Sequence, residues 1–153
     1  MELSIVIATL EGCPFEQLND RNLVEQMLRE SVEAGGFTVL NTHVHQFSPQ
    51  GLTGACVLSE SHIAIHTWPE SGILFVDIAT CSDAAGAEAA FGRICELMPH
   101  QAIKRRDVGY REDGQTPWDP RIAWLGDNPP RERLEAVDPL VGNATFFGRK
   151  RVS

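Results

Sequence analysis

Three β-rich runs, residues 54–59, 62–67 and 73–79, crowd the middle of the chain, built largely from the β-branched and apolar residues that suit a pleated, half-buried surface. A chain with this stretch is committed to a sheet, and the rest must be read around it. Residues 3–10 predict an opening strand, and Phe37 to Phe47 alternates in part, with His43, His45 and Phe47 on one parity. Between them, Asn19 or Asp20 is placed to cap a helix whose apolar face is Leu23, Val24, Met27, Leu28 and Val32, before Gly35–Gly36 stops it. Ser82 or Asp83 opens a second helix with Ala84, Ala87, Ala90, Phe91, Ile94, Leu97 and Met98 at helical spacing, and Ala102 to Val108 predicts a closing strand. The expected fold is α+β: a two-layer α/β sandwich with an antiparallel or mixed sheet and two helices on one face.

With 153 residues and 42% hydrophobic content, the chain is long enough to bury one core. We assign that unit to residues 1–108. From 109 to 153 the composition changes: five of the nine prolines (Pro117, Pro120, Pro129, Pro130 and Pro139) fall there with Trp118 and Trp124, which predicts a Pro-rich C-terminal extension. The GRKR near the end reads as a solvated terminus. Twenty-one acidic against 13 basic residues give a net charge of -8, which repels phosphate backbones and argues against nucleic acid as a partner. The opening MELSIVIATL lacks the basic segment and cleavage site of a leader, and no run reaches the roughly 18 apolar residues of a membrane helix. The expectation is a cytoplasmic protein with no membrane partner. Its four cysteines, Cys13, Cys56, Cys81 and Cys95, are scattered without a CxxC and read as reduced thiols.

The segment LSESHIAIHTWPE, Leu58 to Glu70, carries more polar chemistry than a core strand needs. Alternation puts His62, Ala64 and His66 on one face and Ser61, Ile63 and Ile65 on the other. With His43 and His45 also sharing a face, four imidazoles and Cys81 offer donors for zinc or iron, although no recognised ligand spacing such as HExxH is present. Histidines on a strand also serve as hydrogen-bonded structural residues. A serine beside a carboxylate with a histidine in reach offers a nucleophile instead. No GxSxG elbow displays that serine to an external substrate, so an inward-facing hydroxyl is better placed to attack the carbonyl that precedes it.

ESHIAIHTWPE, with FSPQGLTG upstream and VDIATC downstream, closely resembles the bacterial and archaeal S-adenosylmethionine decarboxylases, in the same order and at the same separations. The resemblance spans residues 1–108, including Gly12–Cys13, and leaves the extension without a counterpart. It implies a proenzyme that makes its own pyruvoyl cofactor. Ser61 would attack the carbonyl of Glu60, turning an amide into an ester; elimination would then leave a β chain of 1–60 and an α chain from 61 that begins with the pyruvoyl group. By the same resemblance Thr53 assists the acyl shift and His66 is the elimination base. Cys81 delivers the proton to the substrate Cα, Phe47 stacks on adenine and Glu70 holds the ribose hydroxyls. Phe47 also suits a core position, and Glu70 a turn. The implied partners are a small-molecule substrate and a second copy of the chain in a homodimer, with residues of both copies near each site. No metal is implied.

Departures from the family pattern concentrate in the first strand, where Ile5 and Thr9 replace a histidine and an acidic residue. Thr53 stands for a serine, Ser82 for a glycine, and Ala79 for a bulkier aromatic. The self-processing residues are present, while the pocket differs. That keeps a pyruvoyl-dependent arginine or ornithine decarboxylase, or a silent homologue serving as a partner subunit, beside S-adenosylmethionine decarboxylation as readings of the sequence.

Overall fold

In the computed structural model of the chain, residues 2–82 and 84–111 are described. Strand β1 (Glu2–Glu11) leads through a short helix α1 (Phe15–Leu18) into α2 (Arg21–Gly35). Four strands and a second long helix follow: β2 (Val39–Gln46), β3 (Leu52–Leu58), β4 (Ser61–Trp68), β5 (Ile73–Thr80) and α3 (Ala84–Leu97). A 3-10 turn, Pro69–Ser71, links β4 to β5, and β6 (Ala102–Arg111) closes the order. The strands form one sheet in the order β2-β3-β4-β5-β1-β6, and every neighbouring pair is antiparallel. Of the two sheet types the sequence allowed, the antiparallel one is present, with the α+β architecture expected.

Local chemistry explains the boundaries. The Asp20 carboxylate accepts from the N–H groups of Asn22 at 2.8 Å and Leu23 at 3.3 Å, satisfying donors that the first turn of α2 leaves open. At the other end Gly36 adopts a left-handed φ of 66°, a C-terminal stop that costs glycine little. The composition gave no warning of α1. Ser82 does not open α3 as a free cap: its hydroxyl lies 2.7 Å from that of Thr80 and its N–H donates to the Thr80 hydroxyl at 3.0 Å. Asp83, the other candidate cap, lies outside the described residues, as does the extension from residue 112 on.

The core fills the space between one sheet face and α2 and α3. Val6, Ala8 and Leu10 of β1, Leu74, Val76 and Ile78 of β5, and Ile63 and Ile65 of β4 are all buried against Val24, Met27 and Leu28 of α2 and Ala87, Ala90, Phe91 and Ile94 of α3. Close approach of α2 to β3 depends on Gly54, where a Cβ would lie 2.7 Å from the Leu28 side chain. Among the described residues no helix covers the opposite face of the sheet, and that face carries the unusual side chains. No described helix is long and apolar enough to cross a membrane, and all four cysteines are free thiols.

Candidate active site

Strand β4 divides its side chains as alternation requires: Ile63, Ile65 and Thr67 are buried toward the helices, whereas His62, Ala64, His66 and Trp68 are half-buried on the open face. Antiparallel register aligns these with residues from distant parts of the chain. One row across the open face runs His45, Thr53, His66, Phe75, Thr9. The next runs His43, Ala55, Ala64, Asp77, Ile7, and a third Asn41, Val57, His62, Ala79, Ile5. Ile5 and Thr9, the departures in the first strand, therefore stand in the rows of His62 and His66.

Thr53 and His66 form the first cluster. The Thr53 hydroxyl lies 2.9 Å from His66 Nδ1, and the imidazole sits between the rings of Trp68 and Phe75 at centroid distances of 6.1 and 5.9 Å. Burial pushes the His66 pKa below the usual histidine range, with the charge of Asp77 opposing that shift. The ring is thus neutral at pH 7 and able to accept a proton. One residue beyond β2, Phe47 packs edge-on against His45 at 4.7 Å and leaves half of its own surface exposed. Glu70 is exposed in the 3-10 turn after β4.

The second cluster surrounds the turn from β3 to β4. Ser61 holds a φ of 141°, the one non-glycine positive φ among the described residues. An L-residue there carries strain on the order of 1–3 kcal/mol, released if the bond before it breaks. The Glu60 carbonyl oxygen accepts from the Cys81 N–H at 2.9 Å, a donor placed where negative charge would develop if that carbonyl were attacked. The turn is latched from its other side. The Glu60 carboxylate accepts from the Thr38 N–H at 3.0 Å, which holds its pKa below the usual carboxylate range, and the Ser59 N–H donates to the Thr38 carbonyl at 2.9 Å.

Strict alternation put Ser61 and His62 on opposite faces; the structure corrects this. With Ser61 out of the extended region, its Oγ comes within 3.3 Å of His62 Nδ1. The far nitrogen of the same ring, Nε2, is 3.3 Å from Asp77 Oδ2. The hydroxyl beside the strained bond therefore has an imidazole and a carboxylate in line behind it. Asp77 received no role from the sequence, and His62 appeared there as a metal candidate or a hydrogen-bonded structural residue. The signal was present: His62 follows the serine directly, and Asp77 is the charged residue of the VDIATC stretch.

Glu60, Ser61 and Cys81 are thus brought together, as are Thr53 and His66, but the two groups are not adjacent in one chain. Ser61 and His66 stand five residues apart on β4, about 17 Å at the usual strand rise of ~3.4 Å per residue. The metal reading has no geometry behind it. Among the described residues no three His, Cys, Asp or Glu side chains gather as a metal-holding group.

Comparison with known proteins agrees with these observations. The family model described as S-adenosylmethionine decarboxylase matches residues 4–109. An S-adenosylmethionine decarboxylase proenzyme from Methanococcus maripaludis is 39% identical over 112 residues, covering 72% of this chain and 92% of its own. One of the same description from Methanococcus vannielii is 49% identical over 103 residues, covering 67% and 84%. Among solved structures, a crystal structure of the adenosylmethionine decarboxylase from Aquifex aeolicus superposes with a TM-score of 0.66 at 31% identity, covering 69% of this chain and 87% of that one. The chain belongs to the S-adenosylmethionine decarboxylase family.

Proposed function

We propose that this chain is a proenzyme that cuts itself between Glu60 and Ser61 and then, through the pyruvoyl group formed at residue 61, decarboxylates S-adenosylmethionine. The observation that carries the reading is the junction itself: a strained Ser61 whose preceding carbonyl is already held by the Cys81 N–H at 2.9 Å. Relatives described as proenzymes support self-processing.

In the first step the Ser61 hydroxyl adds to the Glu60 carbonyl, closing a small ring through Cβ, Cα and N. The Cys81 N–H stabilises the oxyanion, and collapse breaks the C–N bond to leave an ester and a free amine on Ser61. Removal of the Cα proton then expels the Glu60 carboxylate, and hydrolysis of the resulting dehydroalanine releases ammonia. The fold suits a terminus created at this point, because β4 remains paired to β3 and β5 after the cut. The pyruvoyl ketone supplies the electron sink that decarboxylation of an amino acid requires. Around it, Cys81 holds the proton for the substrate Cα, Phe47 presents a half-exposed ring to the adenine, and Glu70 offers a carboxylate to the ribose.

The distance between the clusters supports a homodimer. His66 lies too far along β4 to act on the Ser61 of its own chain, so we assign the elimination to His66 of the partner subunit, with the helix-free sheet faces of two copies apposed. The free thiols suit the cytoplasm. Arginine or ornithine decarboxylation, raised by Ile5 and Thr9, is not favoured, because the relatives above are described as acting on S-adenosylmethionine. Carbon dioxide release by purified protein tests the reading, with S-adenosylmethionine, arginine and ornithine offered separately and no pyridoxal phosphate present. Turnover of S-adenosylmethionine alone is expected; turnover of only a basic amino acid, or of none, contradicts it.

A further inference from the structure

We propose that His62, oriented by Asp77, is the base that takes the Ser61 hydroxyl proton during the acyl shift, acting within the same chain. The inference rests on the self-processing reading and adds to it the proton's acceptor. Ser61 Oγ, His62 Nδ1, His62 Nε2 and Asp77 Oδ2 are linked in that order through the imidazole ring, with 3.3 Å at each hydrogen-bonding step. A carboxylate accepts only, so the nitrogen facing Asp77 carries the hydrogen and leaves Nδ1 with a lone pair toward Ser61. That tautomer is the one a base needs. Both contacts are at the long end of hydrogen bonding, as catalytic contacts often are before the reacting geometry tightens.

Proton and bond changes balance without an added reagent. The Ser61 O–H proton passes to His62 Nδ1 as Oγ bonds to the Glu60 carbon and its carbonyl oxygen becomes anionic against the Cys81 N–H. The imidazolium, paired with Asp77, then returns the proton to the Ser61 nitrogen as the C–N bond breaks, leaving neutral His62, the ester and the amine. Around the ring, β3 presents Val57 and β5 presents Ala79, so Asp77 is the charged residue that faces it. His66 stands five residues further along β4, about 17 Å of strand at the usual rise of ~3.4 Å per residue, which separates two bases: His62 for the shift, from the same chain, and His66 of the partner subunit for the elimination.

Cleavage followed by intact mass, with a hydroxylamine arm to reveal ester, tests the assignment. His62→Ala is expected to stall as intact, hydroxylamine-resistant amide, slowed roughly 10²- to 10⁴-fold as befits loss of a positioned base, and to regain cleavage on addition of imidazole. His62→Gln, which keeps the bulk, should be equally slow. Asp77→Asn removes the charge and, with its amide nitrogen toward the ring, donates a hydrogen where Asp77 only accepts. In an uncut Ser61→Ala background it should move the His62 ring proton to Nδ1, read from the ring nitrogen shifts, and in the Ser61 background it should slow cleavage. Co-expression with Ser61→Ala chains should restore cleavage to His66→Ala chains but not to His62→Ala chains. Wild-type cleavage by His62→Ala, a stall at hydroxylamine-sensitive ester, or slow cleavage that imidazole does not rescue would each overturn the proposal while self-processing stands. A wild type that never cleaves overturns the self-processing reading and the proposal with it.

Discussion

The N–H of Cys81 donates to the Glu60 carbonyl oxygen at 2.9 Å, so under the proposed mechanism one residue would serve the self-cleavage through its backbone and the substrate through its thiol. The two duties can be separated. Cys81→Ala keeps the N–H and should cleave at a rate close to wild type, yet its turnover of S-adenosylmethionine should fall roughly 10²- to 10⁴-fold, the usual cost of removing a positioned acid. Gel cleavage and carbon dioxide release, measured on one preparation, check both halves. Normal turnover would remove the thiol from the mechanism.

His66 gives a stalled state and a pH signature. His66→Ala should complete the acyl shift and stop at the ester, which hydroxylamine cleaves; a variant insensitive to hydroxylamine would deny His66 the elimination. In the wild type, burial lowers the His66 pKa. The base form therefore persists below the ordinary histidine value of about 6.5. Ester breakdown should therefore decline with a midpoint below that value, where the buried ring at last takes a proton. A decline centred on or above the ordinary value would contradict the assignment.

Phe47 is packed on one edge by His45 and is half exposed, so truncating it should cost little stability. Phe47→Ala should raise KM for S-adenosylmethionine by about 5- to 150-fold, taking stacking on a base as ~1–3 kcal/mol. Cleavage should be unchanged. Steady-state kinetics decide it, and an unaltered KM would make the ring structural.

Much of the fold was legible because its elements are strongly patterned. The apolar residues of 62–67 alternate, and Asp20 followed by Leu23, Val24, Met27 and Leu28 announces a capped, one-faced helix. The short α1 carries no such pattern, and β6 runs three residues past the expected Val108 to Arg111 because pairing with β1, not local composition, sets its end. At the site, motif order named Glu60, Ser61, His66 and Cys81. It could not reveal the diagonal contact between His62 and Asp77, which depends on the register of β4 against β5. The five-residue spacing of Ser61 and His66, once both are placed on one strand, already sets them at its opposite ends.

The bond before Ser61 is expected to break without another protein, and the intact mass of purified protein after incubation shows whether it does. Two chains are expected, residues 1–60 with a free C-terminal carboxylate and residues 61–153 blocked at the N-terminus by a pyruvoyl group, with Ser61→Ala remaining whole. A wild-type chain that stays at its full 16.9 kDa, or a cut at any other bond, would contradict it.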